Sequence, residues 1–166
     1  MLTAVNANSE LQDHERKLEI KTNSITDEYD VDWNQKLGTG ISGPVRAATK
    51  RSSGERFAVK VVIDRPKAQQ EVQTHWRCSG HPHVVSIYEV FQNVLQFPGE
   101  SESQSRLLLV LELMDGGELF FRISKQRGFT ERHAAATTLQ VCILYLKSKG
   151  NQGWIFCCSS SKWVLR

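Results

Sequence analysis

The stretch Leu37-Gly38-Thr39-Gly40-Ile41-Ser42-Gly43-Pro44-Val45 decides how the chain is read. Its three glycines stand at G-x-G-x-x-G spacing, which lets a backbone turn tightly and approach an anion through its amides. Three kinds of phosphate-binding loop contain such a pattern. A P-loop needs Lys and then Ser or Thr after its last glycine, and Pro44-Val45 stand there instead. A dinucleotide-binding turn needs a buried strand before it, a helix directly after it and an acid about 20 residues on. Asp64 satisfies the acid spacing. The context does not fit, because Val31, Trp33 and Leu37 alternate with polar residues and the segment after Gly43 has the pattern of a hairpin.

The third kind is the glycine-rich loop of protein kinases. It requires a strand–loop–strand hairpin followed by a lysine in the next strand. Phe57-Ala58-Val59-Lys60 supplies that lysine, and Val61-Val62-Ile63 continue the apolar run around it. A lysine in such surroundings needs a partner. Glu71, eleven residues later on an expected helix, is the candidate. Taken alone, Lys60 reads as a solvated strand lysine and Glu71 as an exposed helical acid. Their combination with the glycine spacing favours the kinase arrangement.

Outward from this centre, strands are expected over about 32–38, 44–50, 56–63, 84–91 and 106–113. Asp64-Arg65-Pro66 reads as a helix start, with Asp64 as the capping acid. Ala68, Val72, His75 and Trp76 would form its packed stripe, with Glu71 beside it. His75, His81 and His83 have no cysteine or acid cluster nearby, so packing and turn roles are expected rather than a metal site. After Asp115-Gly116-Gly117, a helix is expected over 118–126. Thr130 would cap a further helix bearing Ala135, Leu139, Cys142 and Leu146 on one side.

The chain has 166 residues, 40% hydrophobic and 23% charged, enough for one domain core. Its net charge of +3 is too small to argue for nucleic acid. No apolar run is long enough to span a bilayer, and Met1–Asn8 lacks the pattern of a signal peptide. Cys78, Cys142, Cys157 and Cys158 show no zinc spacing and are expected to be free thiols in a reducing compartment. Residues 1–32 carry eight acids and three bases, whereas 132–166 carry five bases and no acid.

With these motifs in order, the chain resembles the small lobe of a Ser/Thr protein kinase of the calcium/calmodulin-dependent-kinase-like group, and within it the MAP-kinase-activated protein kinases. Besides Leu37–Val45 and Phe57–Lys60, the resemblance is carried by Asp64-Arg65-Pro66-Lys67-Ala68, His81-Pro82-His83-Val84-Val85, Gln96-Phe97-Pro98 and Met114-Asp115-Gly116-Gly117-Glu118-Leu119-Phe120. It covers about residues 29–146 and implies an α+β fold: a five-stranded antiparallel sheet with one helix, followed by the incomplete start of a helical large lobe. The domain reading is a mobile leader over 1–28, the small lobe over 29–115, hinge-side helices over 116–149, and a disordered tail outside the family pattern over 150–166.

The resemblance also implies roles. Leu37 to Val45, including Thr39, Ile41, Ser42 and Pro44, would form the loop over ATP, with Gly38, Gly40 and Gly43 covering the phosphates. Val45 and Ala58 would wall the adenine. Lys60 would hold the α- and β-phosphates and pair with Glu71. Leu111 would be the gatekeeper, and Glu112 and Met114 would offer hinge backbone groups. Asp115 and Glu118 would lie near the ribose and the substrate entrance. ATP is the implied ligand, with magnesium as its companion. An upstream MAP kinase and protein substrates are the implied partners of a full-length form, located in the cytoplasm or nucleus.

The sequence contains neither H-R-D-x-x-x-x-N nor D-F-G, and its last acid is Glu131. Residues 151–166, with Trp154, Phe156, Cys157-Cys158 and Trp163, match nothing in the family pattern. They are read as the end of a truncated or misspliced product. A membrane-touching tail is the competing reading, but only Lys162 and Arg166 would supply its positive charge. The expected function is that of an ATP-binding Ser/Thr kinase represented by an incomplete domain. The alternative is a non-catalytic fragment or regulatory decoy that binds nucleotide or a protein partner.

Overall fold

The computed structural model describes residues 17–40, 43–116, 124 and 130–139. The elements are β1 (Ile20–Lys21), α1 (Ile25–Glu28), β2 (Tyr29–Gly40), β3 (Gly43–Lys50), β4 (Arg56–Ile63), α2 (Pro66–Cys78), β5 (Ile87–Leu95) and β6 (Gln104–Glu112). Residues 131–139 form a further helix. The strands make one mixed sheet in the order β1-β5-β6-β4-β3-β2.

Every pairing among β2 to β6 is antiparallel, as expected. β1 adds a sixth strand, parallel to β5 through Ile20↔Val90 and Lys21↔Phe91. This corrects both the expected strand number and the expected leader, since residues 17–28 belong to the folded lobe. Ile25 is fully buried beside Tyr29 and Phe91, and Ser24 caps α1 by accepting from the Thr26 amide. The cause is long-range. Lys21 Nζ lies 2.8 Å from Glu28 and 3.2 Å from Glu89, and Lys50 lies 3.1 Å from Glu89. The Ile25 amide donates to Asn93 Oδ1 at 3.0 Å. Residues 1–16 and 150–166 lie outside the described residues.

The sheet is apolar on both faces. Val59, Val61, Leu108 and Val110 join Ile25, Tyr29, Val31 and Phe91 on one side. Ala58, Leu107, Leu109 and Leu111 join Val72 of α2, Ile87 and Val90 on the other. The period of two along β4 and β6 distributes alternate residues to the two clusters, and Leu107–Leu111 are accordingly all buried. A turn at Arg51–Ser53, closed by Gly54 at φ 73° with its amide on the Lys50 carbonyl, joins β3 to β4 as the sequence suggested.

α2 carries Pro66 in its first turn and buries Val72 on the predicted stripe. Its N-cap is Arg65 and no side chain caps it, which corrects the reading of Asp64. The Asp64 carboxylate instead accepts from Gln69 at 2.7 Å, Gln92 at 2.6 Å and Ser105 at 3.1 Å. Those three donors, from α2, β5 and β6, outcompete the local capping bond. β5 starts at Ile87 rather than Val84, because the Val84 amide closes the preceding turn on the His81 carbonyl at 3.0 Å.

Thr130 caps the helix at 131–139 as expected, its hydroxyl accepting from the His133 amide at 3.4 Å. Ala135 and Leu139 of the expected stripe are exposed there. Cys142, Leu146 and the expected helix over 118–126, apart from Ser124, are outside the described residues.

Candidate functional site

Register assembles the site. Val45 of β3 pairs with Lys60 of β4, and Ala47 with Ala58. Across the other edge of β4, Ala58 pairs with Leu111 and Lys60 with Leu109. Val45, Ala58 and Leu111 therefore join the cluster on the α2 side of the sheet, and Lys60 points to that side by alternation with Ala58.

α2 brings the acid to the lysine. Lys60 Nζ stands 3.8 Å from Glu71 Oε1, with the lysine side chain 18% exposed and the glutamate 40% exposed. The apolar run around Lys60 together with the glycine spacing suggested this pair, and the structure forms it. At that separation and exposure it contributes on the order of 0.2–1 kcal/mol to stability. Its value is geometric, since it holds a cation at a set height above β4.

Gly43 begins β3 at φ 137°, a conformation that side chains rarely adopt. A Cβ there would lie 2.0 Å from the Val61 carbonyl oxygen. The third glycine of the loop is thus required where β3 crosses close over β4. Gly38, Thr39 and Gly40 lie on β2, paired with Val45, Pro44 and Gly43. Ile41, Ser42 and Glu118 lie outside the described residues.

β6 ends at Glu112, and the chain leaves the sheet through Leu113, Met114 and Asp115. The Glu112 amide donates to the Ser86 carbonyl at 3.0 Å, and its carboxylate accepts from the Ser86 amide at 3.4 Å. That amide is therefore bonded within the protein. Met114 is half-buried and Asp115 exposed. Two clefts of about 480 and 300 Å3 lie away from Lys60: one is lined by Asp30 to Gln35 with Ala47 to Thr49 and Arg56, the other by Glu55 to Phe57, Tyr88, Glu112 and Leu113. Among the described residues no group of three or more His, Cys, Asp or Glu could hold a metal ion, and no helix is long and apolar enough to cross a membrane.

His75 is a residue whose placement the stripe predicted but whose bond it did not. One turn beyond Glu71, its Nε2 donates to the Val85 carbonyl at 2.8 Å. Burial pushes its imidazole below the ordinary range; the Val85 carbonyl opposes this, nearby Lys60 adds to it and Glu71 opposes it. The unfolded chain consequently binds more protons just below the ordinary value of about 6.5. Stability from neutral His75 is present above that pH and is lost as the pH falls. Urea titrations at a series of pH values should show this slope in the wild type and a shallower one in His75→Phe. An unchanged slope would assign the effect to another group.

Residues 31–150 match the family model of the protein kinase domain. The chain belongs to the protein kinase family. It is 52% identical over 132 residues to MAP kinase-activated protein kinase 5 of Mus musculus, covering 80% of this chain and 28% of that relative. The Homo sapiens protein of the same name is 55% identical over 124 residues, covering 75% of this chain and 26% of the relative. MAP kinase-activated protein kinase 2 of Oryctolagus cuniculus is 42% identical over 135 residues, covering 79% and 35%. The chain therefore spans little more than a quarter of the length of the first two relatives.

Proposed function

We propose that this chain is the nucleotide-binding part of a Ser/Thr protein kinase of the MAP-kinase-activated type. The observation that carries this reading is the Lys60–Glu71 pair at 3.8 Å, on the same side of the sheet as Val45, Ala58 and Leu111. The close backbone approach at Gly43 supports it, because a loop that tolerates no side chain there can lie flat over a ligand.

In this reading Lys60 meets the α- and β-phosphates of ATP, with Glu71 fixing its ammonium. Backbone amides of Gly38, Gly40 and Gly43 face the phosphates. Val45 and Ala58 wall the adenine, Leu111 bounds the back of the site, and the Glu112 carbonyl and Met114 backbone meet the adenine edge. ATP supplies the phosphoryl group; the protein supplies donors and a cation where anionic charge must be held.

Transfer to a protein Ser or Thr also uses a catalytic-loop Asp and a magnesium-holding Asp in this family. The 166 residues contain neither motif. That observation favours a second reading, in which the chain binds nucleotide or a partner without phosphorylating anything.

Titration of the purified chain with ATP tests the first reading. Saturable binding is expected, and Lys60→Met should weaken it about tenfold or more, the loss that follows from removing one charge-assisted contact. Equal affinity in the two proteins would sink the assignment of Lys60. Incubation with magnesium, labelled ATP and a Ser/Thr peptide should give no transfer. Transfer that Lys60→Met abolishes would overturn the second reading.

A further inference from the structure

A 3.8 Å ion pair with a 40%-exposed carboxylate is too weak to hold a helix. It reports where α2 sits, so other contacts must set that position. At the N-terminal end, Asp64 ties Gln69 of α2 to Gln92 and Ser105 of the sheet. At the C-terminal end, Ser79 Oγ accepts from the Ile87 amide at 2.7 Å, and His75 bonds the Val85 carbonyl. Between those ends the helix is held by apolar packing through Val72 and Trp76.

Leu18 and Ile20 pack against the same cluster as Val72 and Trp76. They come from a chain segment far away in sequence, and β1 is held there by two residue pairs with β5. Lys21 locks the segment through Glu28 and Glu89, and its ammonium stands 5.2 Å over the Phe91 ring. The segment thus borders the α2 side of the core while paired to β5.

We propose that residues 18–21 are a positioning strap for the Lys60–Glu71 pair: Leu18 and Ile20 complete the apolar wall against which α2 rests, and so set the reach from Glu71 to Lys60. The strap's effect passes through α2, and none of its residues belongs to the nucleotide-facing set. This inference stands on the packing alone and does not depend on nucleotide binding.

The test uses the full 166-residue chain carrying Leu18→Ser and Ile20→Ser together. Labelling of Lys60 by an amine-reactive reagent, read by mass spectrometry against exposed Lys36, should rise about twofold to fivefold, the range an ion pair of this exposure can account for. Glu71→Gln should reproduce that rise with the strap intact. Hydrogen exchange of the α2 amides from Glu71 to Trp76 should quicken in the strap variant, while those of Leu107–Leu111 keep their protection. Unchanged Lys60 labelling would overturn the proposal. So would equal loss of protection in α2 and β6, which would make the strap a general stabiliser only. If the double variant does not fold, Leu18→Ala and Ile20→Ala singly give the same readout, with a smaller rise expected and no rise contradicting the proposal.

Discussion

Gly43→Val is expected to cost about 2–6 kcal/mol of stability, the sum of a disallowed backbone conformation and an overpacked contact. Two separate facts set this size. Gly43 has φ 137°, which valine does not adopt without strain. Its Cβ would meet the Val61 carbonyl oxygen at 2.0 Å, and that oxygen belongs to the backbone of a paired strand rather than a movable side chain. β3 could relieve the clash only by giving up pairs such as Gly40↔Gly43 and Thr39↔Pro44. The same shift would lift the glycine loop off the Lys60 face, so ATP affinity should fall together with the urea midpoint. A midpoint within about 0.5 kcal/mol of wild type, the usual effect of a surface substitution, would contradict the close approach.

Phe91→Ala should cost about 3–5 kcal/mol, a large share of the 5–15 kcal/mol that holds a typical domain together. Phe91 is fully buried, and its ring meets Tyr29 edge-on at 6.0 Å. It packs in one cluster with Ile25, Val31, Val59 and Leu108, and so joins the N-terminal segment to the centre of the sheet. The alanine would leave a cavity walled by rigid strands on two sides, where collapse is limited. Val94→Ala, on the same strand but 69% exposed, is the control and should change stability by about 0.5 kcal/mol or less. A loss below about 1.5 kcal/mol for Phe91→Ala, outside the range for an emptied aromatic site, would show that the segment from Ile25 to Tyr29 does not close over this ring.

The site was more legible in the sequence than the edge of the fold, and the reason is range. The glycine spacing, the lysine in an apolar strand and the glutamate eleven residues on are local patterns, each tied to one element. Alternation and helical period then place Lys60, Glu71 and the Val72 stripe without knowledge of the whole. β1 escaped because it is two residues long and pairs with a strand about seventy residues away. Leu18, Ile20 and Ile25 are too sparse to give a period, and their burial depends on Phe91 and Val90 being there to meet them. Asp64 was misread for a related reason. Its position before Pro66 fits a cap, but Gln92 and Ser105 come from distant strands and offer stronger bonds.

The central claim is that nucleotide meets the α2 face of the sheet at Lys60. Amide and methyl NMR spectra of the isotopically labelled chain, recorded through an ATP titration, test it most directly. The account predicts saturable shifts at Val45, Ala58, Lys60 and Leu111, needing about tenfold or more ATP in Lys60→Met, with Val59, Leu108 and Val110 on the opposite face undisturbed. No shift at millimolar ATP, or shifts centred on the opposite face, would contradict it.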